Sequence, residues 1–155
     1  MARTYSTQIE AARMGIVTPE LEIVAAKENR SVDELLPLLA EGKMVIPANI
    51  HHTSIDPNGV GRMLRTKVNV NLGISRDCKD YDIEMKKVMR AVELGAESIM
   101  DLSSHGDTQP FRRKLCTECP AMIGTVPVYD SVIHYQRDLN TITAQDFLDV
   151  IRMHA

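Results

Sequence analysis

Thr66-Lys67-Val68-Asn69-Val70-Asn71-Leu72-Gly73 (TKVNVNLG, 66–73) sets Val68, Val70 and Leu72 against Lys67, Asn69 and Asn71. Strict alternation with a period of two is the pattern of a strand with one apolar and one polar face. Downstream, Met85, Val88, Met89 and Val92 recur at helical spacing over 80–94, and Gly95 supplies a stop. ESIMDL (97–102) reads as the next strand, 108–118 as a short helix, and AMIGTVPV (121–128) as another strand. Upstream, MVIPAN (44–49) is a short apolar run of strand length. Strand candidates therefore recur near 46, 69, 99 and 123 with helical or loop connections, which is the βα unit of a parallel sheet. Doubly wound sheets and (β/α)8 TIM-type barrels both fit. No G-x-G-x-x-G follows the first strand, which weighs against a dinucleotide-binding sheet.

Residues 1–42 read as a helical lead-in and 43–155 as the first half of a barrel domain. A first helix over 6–14 is closed by Gly15. Thr18-Pro19-Glu20 offers an N-cap, a proline at the first helical position and an early acid, opening a helix to about Asn29. Ser31 with Glu34 forms a capping box for a third helix, which Gly42 ends. Thr143 and Asp146 start a last helix carrying Phe147, Leu148 and Ile151. The period predicts a further strand after Ala155, so the chain reads as about four βα units of a longer barrel, with two strand edges left to pair.

The 155 residues are enough for one domain with a buried core, and 44% hydrophobic with 25% charged residues describes a soluble globular chain. A net charge of −3 argues against nucleic-acid and anionic-membrane surfaces, and no apolar run has membrane-spanning length. A cytoplasmic location is expected. Three cysteines, Cys78, Cys116 and Cys119, are an odd number for a disulfide framework. Cys116 and Cys119 form a C-x-x-C pair, but a structural zinc normally takes four ligands, and neither His105 nor His134 has finger-like spacing from it. No metal is expected in this chain, and the pair reads as structural.

In a βα barrel the functional groups project from the C-terminal ends of the strands. There the sequence places Asn69 and Asn71, then Met100, Asp101, Ser103, Ser104 and His105, then Tyr129 and Asp130, with Asn49 near His51 and His52. Together these give amide, carboxylate, hydroxyl, imidazole and phenol at one rim, suited to a small polar ligand. Each has a plainer role open to it. Alternating Asn residues can satisfy neighbouring backbone, Asp101 can cap the next helix, and Tyr129 can be a half-buried aromatic. Lys67 can be a Schiff-base lysine of an aldolase-like barrel or a strand-edge charge. His51-His52 is a weak metal hint, because adjacent residues on an extended chain point oppositely.

The stretches IPAN, LRTKVNVNLGIS, GAESIMDLSS and MIGTVPVYD, together with the helical opening TQIEAARMGIVTPELEIVAAKEN, resemble successive blocks of the ThiC family of phosphomethylpyrimidine synthases. The resemblance runs in order along essentially the whole chain and is nearest the form without an extra N-terminal domain. It implies a radical S-adenosylmethionine enzyme on a (β/α)8 barrel. Such an enzyme converts aminoimidazole ribotide to hydroxymethylpyrimidine phosphate in thiamine biosynthesis, as a homodimer. It implies as cofactors a 4Fe–4S cluster, S-adenosylmethionine and an additional divalent metal. Carried over residue by residue, the substrate contacts fall on Asn71, Met100 and Tyr129, with Asn69, Asp101, Ser103 and His105 on the rim. These types suit the role: an amide that donates and accepts, a soft apolar wall, and a ring with a hydroxyl. The family's cluster run, C-x-x-C-x-x-x-x-C, is not met by Cys116 and Cys119, since position 124 is Gly124. The cluster ligands and metal-binding histidines therefore lie outside this chain.

The chain also departs from the family pattern. It reads Asp101-Leu102-Ser103-Ser104-His105-Gly106 where D-L-S-T-G-G is common, and Val70 replaces a common Ala. His105 leaves room for a related activity on the same substrate, 5-hydroxybenzimidazole synthase, which makes a cobamide lower ligand. A reading of another class is a non-catalytic half-barrel that pairs its edges with a second copy.

Overall fold

The computed structural model describes residues 4–155. Its opening layer is three short helices, α1 (Gln8–Arg13), α2 (Pro19–Glu28) and α3 (Val32–Ala40). The second and third begin at their expected caps, and Thr7, which the sequence reading did not single out, caps the first. Thr7 and Thr18 side chains accept from the N–H groups of Glu10 and Leu21, and Ser31 with Glu34 forms the reciprocal capping box. Pro19 sits in the first turn of α2, where its missing N–H leaves no bond unmade. Leu21, Val24, Leu35 and Leu39 from this layer pack with Met44 and Ile46 in one apolar cluster.

The run at 44–49 departs from the expected barrel strand. Only Met44–Val45 (β1) is extended, and it pairs antiparallel with Val60–Gly61 (β2) in a two-residue ribbon apart from the main sheet. Pro47 supplies no N–H for a longer ladder.

The main sheet is parallel, in the order β3 (Asn69–Leu72), β4 (Ser98–Asp101), β5 (Met122–Thr125). Its register aligns Asn71 with Met100, and Met100 with Gly124. Helices α4 (Tyr81–Glu93) and α5 (Gln109–Glu118) make the crossovers. They pack Met85, Val88, Phe111 and Leu115 with Ile99, and Val70, Leu72 and Ile123 lie against this cluster. The architecture is thus mixed α/β around three parallel strands. The ladder runs on past the strand ends, with the Leu102 N–H donating to the Leu72 carbonyl (2.7 Å) and the Ser104 N–H to Ile74 (2.9 Å). Gly73 permits this approach. Its φ is +148°, and a Cβ there would lie 2.5 Å from the Ser103 nitrogen.

The strand expected over 121–128 ends at Thr125, and Pro127–Tyr135 is a helix, α6, with Pro127 in its first turn. A 3₁₀ turn at Leu139–Thr141 leads to α7 (Ala144–His154), which starts as expected at Thr143 and Asp146, the two forming a capping box. Among the described residues no helix is long and apolar enough to cross a membrane.

Candidate functional site

The alternation of β3 divides the sheet into two faces. Val70 and Leu72 turn toward the helices, while Asn69 and Asn71 are exposed on the other side, the Asn69 Nδ2 donating to the Asn71 Oδ1 at 3.0 Å. Register carries this open face across the neighbouring strands through Ser98 and Met100, then Met122 and Gly124. Its lower part is a groove of about 490 Å³ lined by Asn69, Ser98, Met122 and Gly124, closed by Pro47 and the segment 64–67. Asn71 and Met100 stand side by side at the third position of their strands, toward the C-terminal end. The Met100 side chain lies over Gly124.

Tyr129 is reached differently from the strand-end position expected of it. It occupies the first turn of α6, the helix that leaves the same C-terminal end of β5, and is half exposed. Asp101 and Ser103 are buried. The Asp101 Oδ1 accepts from both the Ser103 N–H (2.9 Å) and its hydroxyl, and Ser103 Oγ accepts from the Ile74 N–H at 3.0 Å. Asp101 therefore ties down the loop after β4 instead of capping α5. Burial pushes its carboxyl above the usual range, partly offset by the Ser103 bonds. His105 is half-buried in that loop and lines a 710 Å³ pocket against α6 with Asp107, Asp130 and His134.

A buried polar cluster lies behind the rim. Asp130, 4% exposed and next to Tyr129, accepts from Thr108 Oγ1 at 2.7 Å, Arg112 Nη2 at 2.7 Å and His154 Nε2 at 3.0 Å. Arg112 Nη1 also donates to Thr108 Oγ1 at 2.7 Å. Burial alone would raise Asp130, but the hydrogen bonds from His154 and Thr108 and the Arg112 guanidinium outweigh it, holding the carboxyl well below the usual range. One carboxylate thus fastens α5, α6 and α7 together. Sequence reading placed Asp130 near the rim but missed Thr108, Arg112 and His154. The available signal was Arg112 in helical step with Thr108, Leu115 and Cys119, a charge on an otherwise buried stripe.

Lys67 has a structural partner. Its Nζ donates to Glu28 Oε1 at 2.5 Å and to the Arg65 carbonyl at 2.8 Å, with both side chains almost fully buried. Glu28 would be raised by burial, but the Arg65 N–H and the Lys67 ammonium hold it lowered. The pair gives Lys67 a structural role at the strand edge, the plainer of the two open to it, and supplies neither the desolvated apolar pocket nor the neighbouring cation that activates a Schiff-base lysine.

The profile described as the radical SAM ThiC family matches residues 7–155. The chain belongs to that family. It is 54% identical over 151 residues to a phosphomethylpyrimidine synthase of Clostridium botulinum strain Hall, covering 97% of this chain and 35% of that protein. A phosphomethylpyrimidine synthase of Alkaliphilus oremlandii is 55% identical over 150 residues, 97% of this chain and 34% of the relative. The chain spans about a third of the length of the curated relatives it matches.

Family membership implies a 4Fe–4S cluster and S-adenosylmethionine, and the Cys116–Cys119 pair does not fit the cluster. Burial pushes the Cys116 and Cys119 thiols up, and Cys119 is fully enclosed in the apolar cluster behind the sheet. The backbone of the pair is also committed: the Cys119 carbonyl accepts from His52 Nε2 and Ser54 Oγ, both at 2.7 Å, and the Cys116 carbonyl from the Thr53 N–H at 3.0 Å. The C-x-x-C pair docks the loop at 51–56 onto α5. Among the described residues no group of three or more His, Cys, Asp and Glu could hold a metal ion.

Proposed function

We propose that this chain forms the substrate-facing arc of a phosphomethylpyrimidine synthase, a radical SAM lyase that takes aminoimidazole ribotide to hydroxymethylpyrimidine phosphate. The observation that carries the reading is the pairing of Asn71 with Met100 on the open face of the sheet. An amide beside a soft thioether offers an imidazole ligand both a hydrogen-bonding edge and an apolar wall. Tyr129 adds a ring at the same end, and the relatives' names agree with the reading. In this proposal the three parallel strands are part of a (β/α)8 barrel. The remaining length seen in the relatives supplies the cluster ligands and the divalent-metal site, and the protein works as a homodimer.

The test is an anaerobic assay of the full-length protein with aminoimidazole ribotide and S-adenosylmethionine, products read by mass spectrometry. Hydroxymethylpyrimidine phosphate is expected, and Asn71→Ala is expected to raise KM by about tenfold or more, the loss of one well-made hydrogen bond to substrate. Absence of any conversion refutes the reading. The product mass in the same assay also tests a second reading, 5-hydroxybenzimidazole synthase; His105, the residue behind it, lines the pocket beside α6, whose lining includes none of Asn71, Met100 and Tyr129.

A further inference from the structure

We propose that Gly124 is a positioning residue that sets the shape of the substrate wall by giving the Met100 thioether its seat. This deepens the reading above and rests on it. A Cβ at position 124 would lie 2.8 Å from the Met100 Cε and 2.9 Å from its Sδ, and the next neighbour, the Ile99 carbonyl oxygen, is 4.0 Å away. Real Cβ atoms do not come so close to a thioether, so any side chain at 124 moves Met100. The backbone gives no other reason for glycine here: unlike Gly73, Gly124 does not sit in the left-handed region, and it is an ordinary strand residue in register with Met100.

The contrast with Gly73 also fixes what a substitution does. At 73 the obstruction is backbone, which cannot give way; at 124 it is the end of an unbranched, three-torsion side chain, which can. Alanine at 124 therefore re-aims Met100 and leaves the sheet in place. Because Met100 stands next to Asn71 on the open face, the displaced methyl and sulfur go into the space a ligand there would use. A misplacement of about one methylene in such a wall changes affinity by roughly tenfold to two-hundredfold. Glycine at 124 thus selects for a ligand whose apolar edge matches the seated thioether.

The experiment uses the full-length protein labelled with 13C at the methionine methyls, with the Met100 signal assigned by its loss in Met100→Ala. Gly124→Ala is expected to shift that signal while leaving the melting temperature close to that of the parent. It is also expected to raise KM for aminoimidazole ribotide by about tenfold or more, and to add nothing further in a Met100→Ala background. An unmoved Met100 signal overturns the seat itself, and so does an equal KM penalty with and without Met100. A shifted signal with KM unchanged in both single variants leaves the seat intact and refutes the placement of substrate against Met100.

Discussion

Replacing Asp130 by Asn keeps the shape of the side chain and removes its charge. The amide oxygen can still accept from Arg112 and His154, while its NH2 faces Thr108, whose hydroxyl must then turn to accept. What is lost is the counter-charge to Arg112, a residue that is 7% exposed. Breaking a buried pair by removing one partner costs about 3–5 kcal/mol, and the retained hydrogen bonds place Asn at about 3 kcal/mol, the low end of that range. The sign with pH follows from the lowered carboxyl. At pH 7 Asp130 is ionised whether folded or unfolded, and its contribution is complete. As pH falls through the unfolded value of 3.8, the unfolded chain takes up a proton that the folded chain refuses, and the contribution drains away. Denaturant unfolding of parent and variant at pH 7 and at progressively lower pH measures this difference. It should be about 3 kcal/mol at neutral pH and shrink below about pH 4. A difference under about 0.5 kcal/mol at pH 7, or one that does not change with pH, refutes the account of Asp130 as the fastening of three helices.

Lys67→Met removes the ammonium partner of buried Glu28 but leaves it the Arg65 N–H and guanidinium, and should destabilise the protein by about 3 kcal/mol, the low end for a broken buried pair, read by denaturant unfolding. Borohydride with a carbonyl substrate should trap no adduct on the parent. Gly73→Ala drives a Cβ into the Ser103 backbone at a left-handed position and should cost about 2 kcal/mol or more in the same measurement. His105→Gly in the full-length enzyme should change turnover or product, read by mass spectrometry, if His105 faces the ligand; unchanged kinetics and product reject that role.

The alternation at 66–73 was readable because β3 has one face against helices and one open, so local pattern and tertiary environment agree. The starts of α2, α3 and α7 were readable for a similar reason: each is settled by residues within one turn. Two boundaries were not. Val126-Pro127-Val128 looks β-rich, yet a proline with an acid three residues later also opens a helix, and here the helix prevails. The apolar run at 44–49 has strand composition, but its partner is a ribbon residue some fifteen positions on, which no local pattern announces. Strand period and spacing put Asn71 and Met100 only on a polar strand-end rim; it is the resemblance to the ThiC family that singles them out as substrate contacts. The Thr108–Arg112–Asp130–His154 cluster joins groups from three helices, and its members become neighbours only after the chain has folded.

The Glu28–Lys67 pair spans the seam between the helical layer and the sheet, and Arg65 extends it by bonding Glu97 at the foot of β4 (2.8 Å). Temperature acts differently on the seam and on the two apolar clusters it joins. Apolar stabilisation weakens on cooling, whereas the penalty for keeping charges out of water falls on warming. A seam made of ions therefore holds relatively better in a hot molecule than in a cold one. In the cold, the two halves have less reason to stay in contact.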